Sequence, residues 1–372
     1  MAKSRVKELD FMRAAAMLMV VLLHVSAAYV AYSPVDSKVF YLGLILNQWS
    51  RICLPLFVFV SGFGLFYKYG QNNQLNLKDF YLRRLYTVFV PYLVWSFIYM
   101  IFRDIFNQSF YFIGVPFKDA FLSYLSWTFK ENIHTPIWFV LLIVQLYLIF
   151  PVTINPLSRI KKPLQSIVIH SLLFLILIIY FRYFMVISGI YIIDWLQKYY
   201  CVNLFGWYFY FILGGIVAQN WAKFKEVYLN KYIITLLYVI STALVITEAY
   251  FGFLKYGQPH LGVYTSTRPT VLINSIFAIP LIYMLGQRIM KWDKLYCFFM
   301  NMSKFSFGIF FVHPQVLTVV KKIVGRIYGT YTTRVTQLIM VFILTMVCSY
   351  IFCYIVDKTP FRTILLGVDK RK

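Results

Sequence analysis

The chain has 372 residues, 61% of them hydrophobic and 13% charged, with a mean hydropathy of +0.71. A soluble domain carries about 45–50% apolar and about 25% charged residues, so the composition excludes one and describes a polytopic membrane protein. The net charge of +23 does not signal nucleic-acid binding: the Lys and Arg fall in short loops between apolar runs, where they set topology and meet anionic membrane lipids.

Apolar runs of spanning length occur, in chain order, near 9–31, 40–67, 84–102, 136–152, 165–184, 204–220, 231–252, 269–287, 304–322 and 334–356. About 20 residues are needed to cross about 30 Å of hydrocarbon. An open sheet would leave backbone groups unsatisfied in lipid. The reading is therefore all-α: one helical bundle of about ten transmembrane helices over residues 1–372, its fourth span marginal in length. The basic N-terminus before an apolar run resembles a signal peptide. Arg13 interrupts that pattern and the run is long enough to span, so the segment is expected to be retained. The longest loop, about 103–135, is expected outside and partly ordered by its aromatics. The five cysteines form no CxxC pair, and no metal site is expected.

The ionisable residues inside the spans point to chemistry, because charge in lipid is costly and normally kept for function. Arg13 and His24 are eleven residues apart in the first span. At about 100° per residue they share one face, roughly 16 Å apart along the axis. Arg51 lies about a third of the way into the second span from outside, Glu248 near the outer end of the seventh, and His313 in the middle of the ninth, before Pro314. The bland alternative is an Arg51–Glu248 ion pair with each His bonded to a carbonyl. Several such groups at similar depth favour a shared polar cavity. His24 suits a general base, because imidazole titrates near neutral pH; Glu248 could orient it. Arg13 has a competing local partner in Asp10, at i,i+3. No GxSxG, GxGxxG, Walker loop or HExxH occurs.

These residues resemble the acyltransferase 3 family of integral-membrane enzymes. The family opening, Asp-x-x-Arg followed by ten residues and a His, matches Asp10, Arg13 and His24. Pro55–Gly62, Phe80–Arg84 with Pro91-Tyr92, Trp138-Phe139 with Tyr147 and Pro151, Phe209–Gly214, and Ser306–Gly308 through His313-Pro314 resemble the later blocks in order and spacing. Two positions depart. Three residues after Arg84, where relatives often have a second arginine, stands Thr87, so the adjacent Arg83 and Arg84 must serve. The histidine that many relatives place two residues before the tryptophan stands here four before it, as His134.

The resemblance implies an acyl-CoA donor, acetyl-CoA in the first place, and no tightly bound cofactor. It implies a hydroxyl acceptor on a surface glycan or glycolipid. Arg83 and Arg84 would hold the donor's phosphates, and Arg13 would steer its polar arm. His24 would be the catalytic base, with Glu248 and His313 beside it. Arg51, Trp138 and His134 would face the acceptor. The competing readings are a polysaccharide or lipid-linked sugar translocator using the same cavity and a structural subunit of a glycan synthase. The low Ala content and abundant Ile, Tyr, Phe and Lys suggest an AT-rich bacterial genome, and hence a bacterial plasma membrane.

With an even number of spans both termini share one side. The N-terminus, the even-numbered loops and the C-terminus, with the adjoining span ends, hold 22 of the 36 Lys and Arg, and the opposite side holds 12. That bias predicts cytoplasmic termini, with Lys321, Lys322, Arg326 and Arg334 running against it. A reporter that works only outside the membrane should stay silent when fused to the C-terminus; activity there would overturn the topology.

Overall fold

The computed structural model describes residues 5–70, 75–107, 115–131, 136–184, 189, 191–226, 230–259, 264–329 and 332–368. Among them the chain forms α1 (Lys7–Tyr32), α2 (Lys38–Tyr69), α3 (Leu77–Ile105), α4 (Phe117–Ser126), α5 (Trp138–Ser158), α6 (Pro163–Tyr183) and α7 (Tyr191–Lys198). There follow α8 (Tyr208–Gln219), α9 (Trp221–Glu226), α10 (Lys231–Tyr256), α11 (Pro269–Ile289), α12 (Asp293–Tyr328), α13 (Val335–Asp357) and α14 (Arg362–Leu366). No strand occurs among the described residues. Nine of these helices are long and apolar enough to cross a membrane, and α8 is a shorter apolar helix at the sixth predicted run.

The helices are apolar over most of their lengths, so burial rather than periodicity distinguishes them. Two thirds of the α1 and α2 windows are buried, against 11% for α6 and 17% for α10. The first two form the centre and the latter two face lipid. α1 lies beside α12 with both chains running the same way: Phe11 packs on Phe299, Asp10 meets Ser303, and farther along His24 meets His313. On its other side α12 is braced by α3, where Trp95 stacks on Phe311 at 5.7 Å and Tyr99 Oη donates to the Phe311 carbonyl at 3.0 Å.

Three departures from regular helix have local causes. In α2, Ser50–Ile52 tightens to a 3₁₀ turn: Ser50 Oγ donates to the Leu46 carbonyl, and Pro55 has no N–H to offer the carbonyl of Arg51. In α3, a π-helical turn at Leu85–Phe89 precedes Pro91, which frees the Thr87 carbonyl in the same way. At 12 residues, α8 is only about 18 Å long. The chain continues that crossing with Cys201–Trp207, a turn and a short 3₁₀ segment in which Asn203, Gly206 and Trp207 are buried. There Asn203 Oδ1 accepts from the Phe205 amide, and Trp207 Nε1 donates to the Cys201 carbonyl at 2.8 Å.

The fourth crossing explains the marginal run in the sequence. The described part of the 103–135 segment that carries Tyr124 and Thr128 does not stay outside. Tyr124 Oη donates to the Leu93 carbonyl and Tyr92 Oη to the Thr128 carbonyl, so α4 and the π turn at Trp127–Glu131 dip to the middle of α3. α5 begins near that depth, its Phe139 packing on Phe57 and Phe310.

α2 and α8 approach at Gly62 and Gly214. A Cβ on Gly62 would run into the Phe211 carbonyl, and one on Gly214 into that of Phe59. Small residues bring membrane helices this close because packing, rather than the hydrophobic effect, drives their association. The Ser-Gly of the second span is thus a packing feature. Gly62→Ala should lower the thermal unfolding temperature of the detergent-solubilised protein clearly. Gly325→Ala, where an added Cβ meets nothing within 4 Å, should leave it unchanged. Equal temperatures for the two variants would contradict this packing.

Candidate active site

The inner site grows from one buried carboxylate. Asp10 Oδ2 accepts from Arg5 Nε at 2.7 Å, and its Oδ1 accepts from Ser303 Oγ at 3.0 Å and lies 3.7 Å from Arg13 Nη1. Arg13 also donates to Ser303 Oγ at 3.4 Å. A carboxylate 6% exposed needs such partners, and the cluster aims Arg13 into a cavity of about 740 Å³. The predicted i,i+3 partner and the predicted cavity role of Arg13 therefore coexist.

Around that cavity stand Arg5, Arg13, Lys68, Arg83, Arg84, Lys304 and Arg362, against the carboxylates Asp10 and Asp357. The excess of positive charge in a concave wall focuses the field on an anion. Arg84 lies over the Tyr147 ring at 4.7 Å and over Phe80 at 5.5 Å, so aromatic faces hold its guanidinium without neutralising it. Tyr147 in turn accepts from Ser61 Oγ at 3.3 Å. Thr87, where relatives often have an arginine, also lines the wall. The C-terminal segment closes it: Trp95 Nε1 donates to the Leu365 carbonyl at 2.8 Å. Gly367, at φ +66°, rests against the Thr87 carbonyl freed by Pro91, where a side chain has no room. Arg5 and Asp10 near one terminus and Arg362 and Val368 near the other line the same cavity, so the two chain ends share one face of the bundle.

Phe57, Phe139 and Phe310 line the cavity, Phe139 packing on each of the other two. Phe310 in turn touches His313, and His313 faces His24 with ring centroids 5.3 Å apart and planes at 39°. Arg13 and His24 thus both face α12, as their eleven-residue spacing requires. His313 is fully buried, and its Nδ1 lies 3.0 Å from the Ile309 carbonyl. A carbonyl only accepts, so Nδ1 carries the proton and Nε2 keeps its lone pair. That Nε2 is buried without a hydrogen-bond partner.

Glu248 does not orient His24, as the sequence had suggested, and does not pair with Arg51. Its Oε1 accepts from Arg182 Nη2 at 2.6 Å, and its Oε2 accepts from Arg268 Nη1 at 3.3 Å and from Thr270 Oγ1. Two guanidiniums within reach outcompete an imidazole for one carboxylate. The bonding continues through Arg268 Nη2 to Gln48 Oε1 at 2.6 Å, Gln48 Nε2 to Asn47 Oδ1 at 3.0 Å, and Asn47 Nδ2 to the Leu23 carbonyl at 2.9 Å. Arg51 Nη2 joins at Asn47 Oδ1, at 2.8 Å. The expected single cavity for four ionisable groups is thus two neighbouring arrangements, a histidine pair and a polar chain. They meet at the turn of α1 that carries His24. Trp138 stands at the start of α5 against Trp207, with ring centroids 5.9 Å apart. His134 lies outside the described residues.

Sequence reasoning missed Arg268, Arg182, Asn47 and Gln48. The signal for Asn47 and Gln48 was available, since two amides precede Arg51 by one helical turn inside an apolar run. Arg182 and Arg268 fall at span ends, where a basic residue reads as ordinary topology-setting charge.

A family model described as an acyltransferase domain matches residues 6–354, nearly the whole chain. No match was found among curated proteins or among solved structures.

The partners of Glu248 tie α10 to α6 and to the start of α11. Glu248→Gln removes the shared counter-charge of two guanidiniums; the Glu248 side chain is 23% exposed, so the cost should fall below the roughly 3–5 kcal/mol of a fully buried pair. The variant should unfold at a lower temperature than the parent, whereas His24→Gln should not. Unchanged stability of Glu248→Gln would contradict this assignment.

Proposed function

We propose, since the chain belongs to the acyltransferase domain family, that it moves an acyl group, acetyl in the first place, from cytoplasmic acyl-CoA to a hydroxyl of a surface glycan or glycolipid. The chain is a multi-pass membrane acyltransferase; we place it in a bacterial plasma membrane. The observation that carries the donor assignment is the cavity on the face shared by the two chain ends. It is lined by cations and by aromatic rings, one of which, Phe310, touches the histidine pair. Such a shape suits a ligand with a polyanionic head and a thin, mostly uncharged arm. Arg83, Arg84 and the neighbouring Lys68 and Arg362 would hold the phosphates. Arg13 would hold the polar arm, and the thioester would lie beyond Phe310.

In this reading His24 takes the proton of the acceptor hydroxyl as its oxygen attacks the thioester carbonyl carbon. When the tetrahedral intermediate collapses, the C–S bond breaks and the proton passes from the His24 imidazolium to the departing thiolate. The products are the acylated acceptor and free CoA, with the imidazole regenerated. His313, its Nδ1 proton committed to Ile309, offers its Nε2 lone pair to the His24 ring and steadies the imidazolium. Trp138, His134 and Arg51 are assigned to the acceptor side.

His24→Ala should reduce transfer from labelled acetyl-CoA about 10²–10⁴-fold, the usual loss with a general base. His24→Gln keeps hydrogen bonding but carries no proton at neutral pH, so it should be equally inactive while both variants still bind acyl-CoA. Near-normal turnover by His24→Gln would remove His24 from the mechanism. Replacing Arg83 and Arg84 together by Gln should raise KM for acyl-CoA much more than KM for the acceptor. Equal effects on the two substrates would count against a donor site there.

A further inference from the structure

The polar chain of α2, α6, α10 and α11 holds more than a structural ion pair. Its hydrogen-bonded members include three guanidiniums, those of Arg51, Arg182 and Arg268, but a single carboxylate, Glu248. Two positive charges are left over, at the depth of His24 in the outer half of the bundle.

The three arginines are not equivalent. Arg268 is fully buried and each of its three nitrogens has an acceptor: it donates to the Thr265 and Val245 carbonyls, Glu248 and Gln48. It is the fixed hub. Arg51 and Arg182 each retain a buried N–H without a partner, Nε in one and Nη1 in the other. Arg51 meets no carboxylate among the described residues. It has only the Asn47 amide oxygen and the face of Tyr264 at 6.0 Å, and it lies within electrostatic range of His24. Buried cations with unsatisfied donors are costly in a membrane unless an anion completes them.

We infer that this cluster is an anion subsite, and that the acceptor carries a phosphate or carboxylate group that docks on Arg51 while its hydroxyl is presented to His24. The inference deepens the transfer reading and rests on it for the identity of the occupant. Arg268, Gln48 and Asn47 are positioning residues. They hold Arg51 against the turn of α1 that carries His24, and so set the distance between the anchoring charge and the reacting hydroxyl.

The test uses the purified full chain in nanodiscs of phosphatidylcholine alone. The probes are glycerol 1-phosphate and glucuronate, with glycerol and glucose as neutral controls, and binding is read by calorimetry and thermal shift. The two anions should bind and the neutral compounds should not. Arg51→Gln should weaken anion binding about tenfold or more, the effect of losing one hydrogen bond to a charged group. Arg51→Lys, which keeps the charge, should retain part of it and controls for misfolding. The Arg83→Gln/Arg84→Gln double variant should keep this Arg51-dependent binding in full. Anion binding that survives Arg51→Gln but is lost in the double variant would place it in the inner cavity and overturn the subsite. Complete competition by added phosphatidylglycerol would identify a lipid headgroup as the occupant and overturn the acceptor assignment.

A second arm separates this inference from the transfer reading. Acceptor pairs that differ only in an anionic group are compared with labelled acetyl-CoA. Arg51→Gln should raise KM for the charged acceptor about tenfold and leave KM for acetyl-CoA unchanged. Transfer indifferent to acceptor charge would sink the subsite and leave the transfer reading standing. Arg51-dependent anion binding with no transfer from any acyl-CoA would do the reverse.

Discussion

The parallel contact between α1 and α12 is the interaction on which the rest of the structure depends. Each helix carries polar side chains that lipid would not accept, and these meet across the contact. Asp10 and Arg13 meet Ser303 at the inner end, and His24 meets His313 at mid-depth. Because both helices run the same way, the two meetings are fixed at one separation along a common axis. That separation is the distance between the basic cavity and the histidines.

The layer between them is apolar. Phe57, Phe139 and Phe310 line the inner cavity on this side, and Phe139 packs on the other two in tilted geometry. A catalytic site open to both sides of a membrane would leak ions and protons. A layer of aromatic side chains resists a hydrated ion, whose desolvation cost is large. The dip of α4 toward the middle of α3, and the late start of α5, bring Phe139 to this level.

Glu248 illustrates how the same residue changes meaning with its neighbours. A lone carboxylate within a span reads as catalytic, because charge in lipid is kept for function. Set between Arg182, Arg268 and Thr270 it becomes the counter-charge of a structural cluster. Arg51, by contrast, meets no carboxylate among the described residues. Arg268 and its amide partners hold the region together across helices far apart in the chain.

The sequence by itself determined the membrane class, the ten apolar runs, the family resemblance and the shared face of Arg13 and His24. Hydropathy and the helical repeat are local properties, and a run of about 20 apolar residues has one stable state in lipid. The depth of Arg51 and of the histidines followed from counting along helices. Tertiary structure alone decided which polar groups meet. Glu248 sits 66 residues from Arg182 in the chain, and Arg268 sits 220 from Gln48. Nothing in the hydropathy of four different runs specifies those pairings, which arise only when side-by-side packing forces each buried donor to find an acceptor. The broken crossings at Cys201–Trp207 and at α4–α5 were equally hidden, because irregular backbone survives in a membrane only where protein or a water-filled cavity satisfies it.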